Sequence, residues 1–561
     1  MQKVINDSLK RIGVTPDPRI MALWYVAKKI ADENGVPDVS IGRFLPEDKE
    51  YFEALNELRY NLKDFTLGTH VEHVEKLLKR RTPDELYNEY TDRLNRRTLG
   101  QFYTPPVIAE RMIYPYRGGS VIFDIGAGTG IFLSTAVEHG FSQLIAIEIS
   151  PILCDITRYN LRRVGSMLKI IWADFMVEED LPEAYLWISN PPYTRHHYIP
   201  AYAKEAYDMI VEKYGVKPSR MWSLYMYFFA KIVGERGKWR YATFICPRSL
   251  YDSVHSQQLR VWMLKLRLIR IMEVFHDQRI FEEVETGPVI SHLTSEGSTS
   301  ITFRNCLMSP NGIKILNEKV KNYNELNPLL PWTNIAIGDV KVGKGLKLGQ
   351  LFRVMRGVAT GANDYFALSE EEVKKYKLPQ SVLIRVIAKS RYCLKNIFTE
   401  SDWEELRLKN KEVYLLDLSK DEEHPAVKAY IELGEKLGVD KRSLVKTRKK
   451  WYYIERRDPP PIFVTYLSRG KPRFILNKAK VIPLNVFLCL YPRVPLDDKT
   501  IEAIWRYLNS EEALKQFEYL ARNYGEDTLK IEPRILEELE LPYELVRNIG
   551  LLRYIFNSSW C

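Results

Sequence analysis

Between residues 121 and 294, short apolar runs alternate with stretches whose apolar positions recur every three or four residues. The runs are 121–125, 144–149, 168–172, 186–189, 241–245 and 269–275. Runs this short and this uniformly apolar read as strands covered on both faces, and the stretches between them as amphipathic helices. The alternation predicts an α/β domain built on a doubly wound parallel sheet, the Rossmann-like arrangement. Residues 1–95 are charged and helical in pattern, as in the run 50–58, and read as an N-terminal extension. Beyond about Glu296 the alternation gives way to short mixed strands and loops rich in Pro, Gly and Arg, which predicts an α+β domain. The expected division is therefore 1–95, 96–298 and 299–561.

Candidate chemistry clusters at the predicted carboxyl edge of that sheet. The first strand runs into Asp124-Ile125-Gly126-Ala127-Gly128-Thr129-Gly130. A turn built on Gly126, Gly128 and Gly130 lets a ligand approach the main chain closely and suits an adenosine-bearing cofactor. Nicotinamide enzymes use a similar turn, so two later acids sharpen the reading. Glu148 ends the next strand, where a carboxylate can accept from ribose hydroxyls, and Asp174 follows the third, where it can accept from an adenine amino group.

The fourth strand leads into Asn190-Pro191-Pro192-Tyr193. Such a turn offers a side-chain amide oxygen, a carbonyl followed by a residue without an N–H, and an aromatic face. That is a socket for a planar exocyclic amine. An aromatic amine is a poor nucleophile because its lone pair is drawn into the ring. Two acceptors, Asn190 through its amide oxygen and Pro191 through its carbonyl, would favour a tetrahedral nitrogen as charge develops. Tyr193 would stack on the base. A base in duplex DNA must be extruded to reach such a pocket, and Phe281 is a candidate for its second face, or else an ordinary core phenylalanine.

Composition narrows the class. At 561 residues the chain is too long for one core, and 45% hydrophobic with 27% charged residues describes a globular protein. Lys and Arg exceed Asp and Glu by 82 to 72, a net +10 that suits a polyanionic partner. The six cysteines are scattered without metal-ligand spacing, so no structural metal and a reducing compartment are expected. With neither a signal pattern nor a membrane-length apolar run, the cytoplasm is the expected location.

The order of these motifs resembles that of the gamma-class, TaqI-like adenine-N6 DNA methyltransferases of restriction-modification systems. In that family a Thr-Pro segment precedes the glycine turn, Asn-Pro-Pro-Tyr follows it, and a target recognition domain comes last. Here the order is Gln101-Phe102-Tyr103-Thr104-Pro105-Pro106, then 124–130, then 190–193, then a long C-terminal half. The resemblance implies S-adenosylmethionine as cofactor, with Thr104 at its methionine part, Glu148 at the ribose, Asp174 at the adenine and Phe281 on the flipped base. It further implies double-stranded DNA as substrate, a monomeric enzyme and a separately encoded restriction endonuclease. The family often has Asp where Ser223 stands.

In the C-terminal half, segments 348–352, 356–363, 472–474 and 530–534 are similar to recognition domains of longer family members. Lys446, Arg448, Lys449 and Lys450, beside Trp451-Tyr452-Tyr453, can contact phosphates, or form a solvated basic helix end. Arg356 and Arg473 can reach base edges or phosphates. Rival readings are an RNA adenine-N6 methyltransferase, a glutamine-amide methyltransferase, and a DNA-binding specificity subunit without turnover. Pro37-Asp38 followed by Glu47-Asp48-Lys49 superficially fits a metal-dependent nuclease signature. The segment between them lacks a convincing strand pair, and the match reads as chance.

Overall fold

The computed structural model describes residues 2–12, 14–66, 68–91, 103–275, 287–309, 312–336, 346–465, 467–469, 472–520, 522–523, 528–530 and 532–551. The chain divides into two compact units, Met1–Ile337 and Gly338–Cys561.

The first unit is organised around a ten-stranded sheet. Its strands in chain order are β1 (Ser40–Ile41), β2 (Val121–Ile125), β3 (Gln143–Glu148), β4 (Leu168–Trp172), β5 (Ala184–Ser189), β6 (Trp239–Pro247), β7 (Ile269–Phe275), β8 (Pro288–Thr294), β9 (Ser300–Ser309) and β10 (Gly312–Asn322). Their spatial order is β1-β4-β3-β2-β5-β6-β8-β7-β9-β10. From β1 to β6 every pairing is parallel. The sheet is then mixed: β8 runs antiparallel to both β6 and β7, β7 pairs in parallel with β9, and β9 and β10 are antiparallel. This is the α/β methyltransferase fold, with a topological reversal between β2 and β5 that opens a crevice at the carboxyl edge.

The central strands are apolar on both faces because helices cover both. Phe123 and Trp187 from neighbouring strands pack edge to face, with centroids 5.2 Å apart. The helix Pro151–Asn160 starts where Ser150 accepts from the Leu153 N–H at 3.4 Å and Pro151 supplies a preset φ.

Two expectations about domain limits need revision. Strands β9 and β10 extend the first sheet, so the division falls between Ile337 and Gly338 rather than at 298/299. Residues 1–95 were expected as a separate extension, but they pack into the same unit. Helix Pro18–Glu33 lies on helix Pro151–Asn160, where Trp24 donates to Asp155 at 2.8 Å. The fully buried Arg59 donates twice to the same carboxylate at 2.7 Å. Two exposed residues, Ser40 and Ile41, add β1 to the sheet edge beside β4. Asp38 is committed to this network: against the upward pull of burial, Arg59 holds its carboxyl down to about 2.

The second unit is α+β. Its five-stranded sheet places Phe352–Arg356, Phe487–Pro492, Ile462–Thr465, Phe474–Asn477 and Ile397–Phe398 side by side. A four-stranded sheet gathers Ala367–Leu368, Tyr414–Leu416, Leu383–Ile387 and Ile482–Pro483. Among the described residues no helix is long and apolar enough to cross a membrane.

Candidate functional site

A cavity of about 250 Å³ opens at the carboxyl edge of β2, β3, β4 and β5 in the first unit. That is close to the lower end of small-molecule sites, roughly 300 Å³. Its floor is the turn after β2. Gly126 and Gly128 have φ of +74° and +58°, in the left-handed region where a side chain would strain the backbone, and both line the cavity. Gly130 lies behind them as the residue that starts helix Ile131–Glu138.

Glu148, at the end of β3, also lines the cavity. Its carboxylate accepts the Gly128 N–H and the Ser150 N–H, each at 2.9 Å, so the acid and the glycine turn are locked together. Burial pushes its pKa up. Each oxygen retains acceptor capacity beyond these bonds.

Asp124, one residue before the end of β2, is completely buried and is not among the residues that line the cavity, and neither carboxylate oxygen has a hydrogen-bond partner among the described residues. Burial first, and Glu148 second, push its carboxyl well above the ordinary range. A buried carboxyl group without a partner is costly to keep in the ionised form.

Asp174 follows β4 and accepts from Met176 N–H and the Tyr207 hydroxyl, each at 2.9 Å. The loop that carries it is pinned by a residue that sequence reasoning passed over. Lys231 is buried and donates to the carbonyls of Phe175, Met176 and Glu178 at 2.6, 2.9 and 2.6 Å. Burial draws its pKa down to about 8. Phe175 packs against Phe228 at 5.0 Å, and both line the cavity.

The Asn-Pro-Pro-Tyr turn leaves β5 on the same edge. Asn190 Nδ2 donates to the buried Thr104 Oγ1 at 2.9 Å, joining two motifs 86 residues apart. Asn190, Pro192 and Thr194 line the cavity, while Pro191 is buried behind them. Tyr193 is buried too, its ring set edge to face against Tyr225 with centroids 5.9 Å apart. Ser223, where the resembled family often has Asp, is the N-cap of helix Leu224–Gly234. Phe281 and residues 99–102 lie outside the described residues.

The remaining wall comes from the N-terminal layer, which sequence reasoning gave no part in the site. Arg11, Ile12, Tyr87 and Asn88 all line the cavity. Helix Pro83–Tyr90 begins with a capping box between Thr82 and Glu85. Its Asp84 accepts from Thr129 Oγ1 at 3.1 Å and Asn160 Nδ2 at 2.9 Å, gripping the glycine turn from above. Arg11 bonds both Asp48 and the Tyr202 hydroxyl, which ties the layer to helix Ala201–Glu212. The sequence signal for this was slight, because each contact is between residues distant along the chain.

In the second unit, the residues expected to contact DNA separate into two kinds. Lys446 and Lys449 are exposed, and Lys450 pairs with Glu422 at 2.5 Å. Arg448 is half-buried and donates to the carbonyls of Ala359 and Thr360. Arg473 donates to the Cys393 carbonyl at 3.0 Å and to that of Leu394. Arg356 is exposed at the end of its strand, and its carbonyl accepts from Arg457. Arg448 and Arg473 thus serve loop geometry, which neither the phosphate-contact nor the base-edge reading had assigned them.

Taken as a donor set, Glu148 beside the glycine turn, Asp174 and the surrounding apolar wall fit S-adenosylmethionine, with the buried Asp124 on the strand that carries the turn. That molecule has an amino group, ribose hydroxyls, an adenine and a sulfonium to place.

Comparison with known proteins agrees with this edge of the sheet and with the second unit. Residues 186–281 match the Eco57I restriction-modification methylase family, and residues 332–555 match the C-terminal domain of type II methyltransferase M.Eco57I. The type II methyltransferase M.AccI of Acinetobacter calcoaceticus is 24% identical over 481 residues, covering 82% of this chain and 87% of that protein. M.XamI of Xanthomonas campestris pv. amaranthicola is 27% identical over 471 residues, covering 79% and 85%. The solved structure of the type IIG restriction endonuclease BpuSI aligns with all of this chain and 74% of its own, at 15% identity and a TM-score of 0.44.

Proposed function

We propose that this chain, a restriction-modification DNA methyltransferase that uses S-adenosylmethionine, methylates the N6 amino group of an adenine turned out of duplex DNA. The observation that carries the reading is the anchored amide of Asn190. Nδ2 donates to Thr104 Oγ1 at 2.9 Å, which holds the amide in place at the cavity wall.

The cofactor, when bound, supplies an electrophilic methyl group on a sulfonium. The protein's part is to prepare the amine. Asn190 Oδ1 and the Pro191 carbonyl accept the two N–H bonds of the target nitrogen. As that nitrogen becomes tetrahedral and positive, both bonds strengthen, so they stabilise the transition state more than the bound substrate. Both acceptors belong to the turn that leaves a buried strand, which limits the reorganisation needed during transfer.

Tyr193 stacks on the base. The nearby Cys246 is fully buried, and burial pushes its thiol well up.

The test is to supply labelled S-adenosylmethionine with duplex DNA, RNA or protein, then digest and identify the methylated product by mass spectrometry. N6-methyladenine from DNA supports the reading. Label in another base, in RNA or in glutamine replaces it, and cofactor binding without product favours a specificity subunit without turnover.

A further inference from the structure

Immediately after the catalytic turn, the chain emerges as Arg195-His196-His197-Tyr198, a run of exposed or half-buried residues with Tyr198 52% exposed. Other elements bring further cations to the same place. Lys204, on helix Ala201–Glu212, reaches back to the carbonyl of the exposed Arg220. The completely buried Trp222 donates to the carbonyl of the exposed His255 at 2.8 Å, pinning that turn alongside. Leu224 N–H donates to the Thr194 carbonyl at 2.9 Å, so the whole group is fastened to the end of the catalytic turn.

Within the group the rings touch one another. His196 and His197 meet edge to face at 5.1 Å, and His197 and Tyr198 are tilted at 49° with centroids 4.1 Å apart. Burial first, and then His197, Lys204 and His255, draw the pKa of His196 down. Elsewhere basic side chains are commonly answered by carboxylates, as Arg59 is by Asp155 and Lys450 by Glu422. Among the described residues, Arg195, His196, His197 and Arg220 form no ion pair with a carboxylate. Like charges left together without acids cost folding energy, and an anion that joins them recovers it.

We propose that Arg195, His196, His197, Tyr198, Arg220 and His255 form a surface that grips the sugar-phosphate backbone of DNA beside the extruded nucleotide. The inference rests on the function proposed above, and it places a backbone contact in the first unit rather than in the recognition half. The group is spread over three chain segments, not gathered around one pocket, which fits a row of phosphates better than a single small anion. Its attachment to Thr194 puts it where the phosphates flanking a flipped base must pass. Arg195 and Arg220 hold phosphates, and the exposed ring of Tyr198 lies against sugar.

The test measures binding of the full chain to labelled duplex DNA of arbitrary sequence across a salt series. Each phosphate contact contributes a slope of about 0.9 in log K against log salt. Arg195→Ala with Arg220→Ala should lower the slope by about two contacts while affinity for S-adenosylhomocysteine stays at the wild-type value. A matched pair at the opposite, amino edge of the sheet, Arg236→Ala with Arg240→Ala, should leave the slope unchanged. A wild-type slope in the first variant, or an equal fall in the second, overturns the surface and leaves the methyltransferase reading standing. If the wild-type chain shows neither salt-dependent duplex binding nor methyl transfer to DNA, the functional reading falls and the surface with it.

Discussion

Asn190 and Thr104 share one hydrogen bond, Nδ2 to Oγ1 at 2.9 Å, and it joins the end of β5 to the segment that enters helix Pro106–Ile113. A side-chain amide can present either end to a substrate. Here the threonine takes the donor end, and in the function proposed above the acceptor end serves the target amine. The Asn-Pro-Pro-Tyr turn and the Thr-Pro segment are therefore joined, although the chain separates them by the glycine turn and strands β2 to β5.

This pairing predicts unequal losses. Asn190→Ala removes an acceptor made for the transition state and should cost on the order of 3 kcal/mol, a rate loss of about 100-fold or more. Thr104→Val keeps the shape but frees the amide to turn, and should reduce turnover by about tenfold. Single-turnover methyl transfer at saturating cofactor would read both. Equal losses would mean that Thr104 acts on the substrate itself rather than through Asn190.

Asp84 should matter to the cofactor despite lying in the N-terminal layer. Asp84→Ala takes an acceptor from the Thr129 hydroxyl and leaves Asn160 Nδ2 with the Thr129 carbonyl, which loosens the glycine turn, a loss of roughly 1–3 kcal/mol. S-adenosylhomocysteine should bind about tenfold or more weakly by titration calorimetry, and Asp84→Asn, which can still accept one bond, should fall between. Wild-type affinity in Asp84→Ala would show that the layer only covers the turn.

Asp124 predicts a pH dependence of folding. In the folded chain, burial and Glu148 raise its pKa well above the ordinary value, to which it returns on unfolding. Between those two values the folded chain holds a proton that the unfolded chain has lost. Its contribution to stability is therefore fully present below the unfolded value and is lost as pH rises through the folded one. Asp124→Asn should flatten that decline in urea midpoints and at the same time weaken S-adenosylmethionine. An unaltered decline would place the titration on other acids, of which Glu148 and Asp174 are shifted in the same direction.

The parts of the molecule that were legible in the sequence are those that local pattern controls. Strands β2 to β7 appear where apolar runs are bounded by turns, and Asp124, Glu148, Asp174 and Asn190 stand at strand ends because that is where such a sheet presents side chains. What escaped was set by contacts through space. Nothing in the pattern of 288–294 says that β8 inserts antiparallel between β6 and β7. Strand β1 has only the exposed Ser40 and Ile41 to announce it, and β10 alternates too weakly, with Leu316 and Val320 exposed. Asp84 and Arg11 look like ordinary helix residues until the fold sets them over the cavity. Lys231 resembles any cation inside an apolar helix, and its role appears only with the three carbonyls around it.

The basic run in the second unit yields a last prediction, because its four residues do not share one environment. Lys446 and Lys449 are exposed, so Lys446→Ala with Lys449→Ala should leave the unfolding midpoint unchanged and, if the run meets phosphates, lower the salt slope of duplex binding by up to about two contacts. Arg448 instead donates to the Ala359 and Thr360 carbonyls, with its guanidinium 5.5 Å from the Phe366 ring centroid. Those carbonyls belong to the loop just beyond Arg356, and Gly361 in that loop holds a φ of +72°. Arg448→Ala should therefore destabilise the second unit by roughly 1–3 kcal/mol and disturb sequence preference through the loop, since the buried carbonyls lose their donor. Chemical denaturation and methylome sequencing of the two variants would separate the roles. A stable Arg448→Ala protein with an unchanged site and a reduced salt slope would make Arg448 a phosphate contact like its neighbours, with the loop held by other groups.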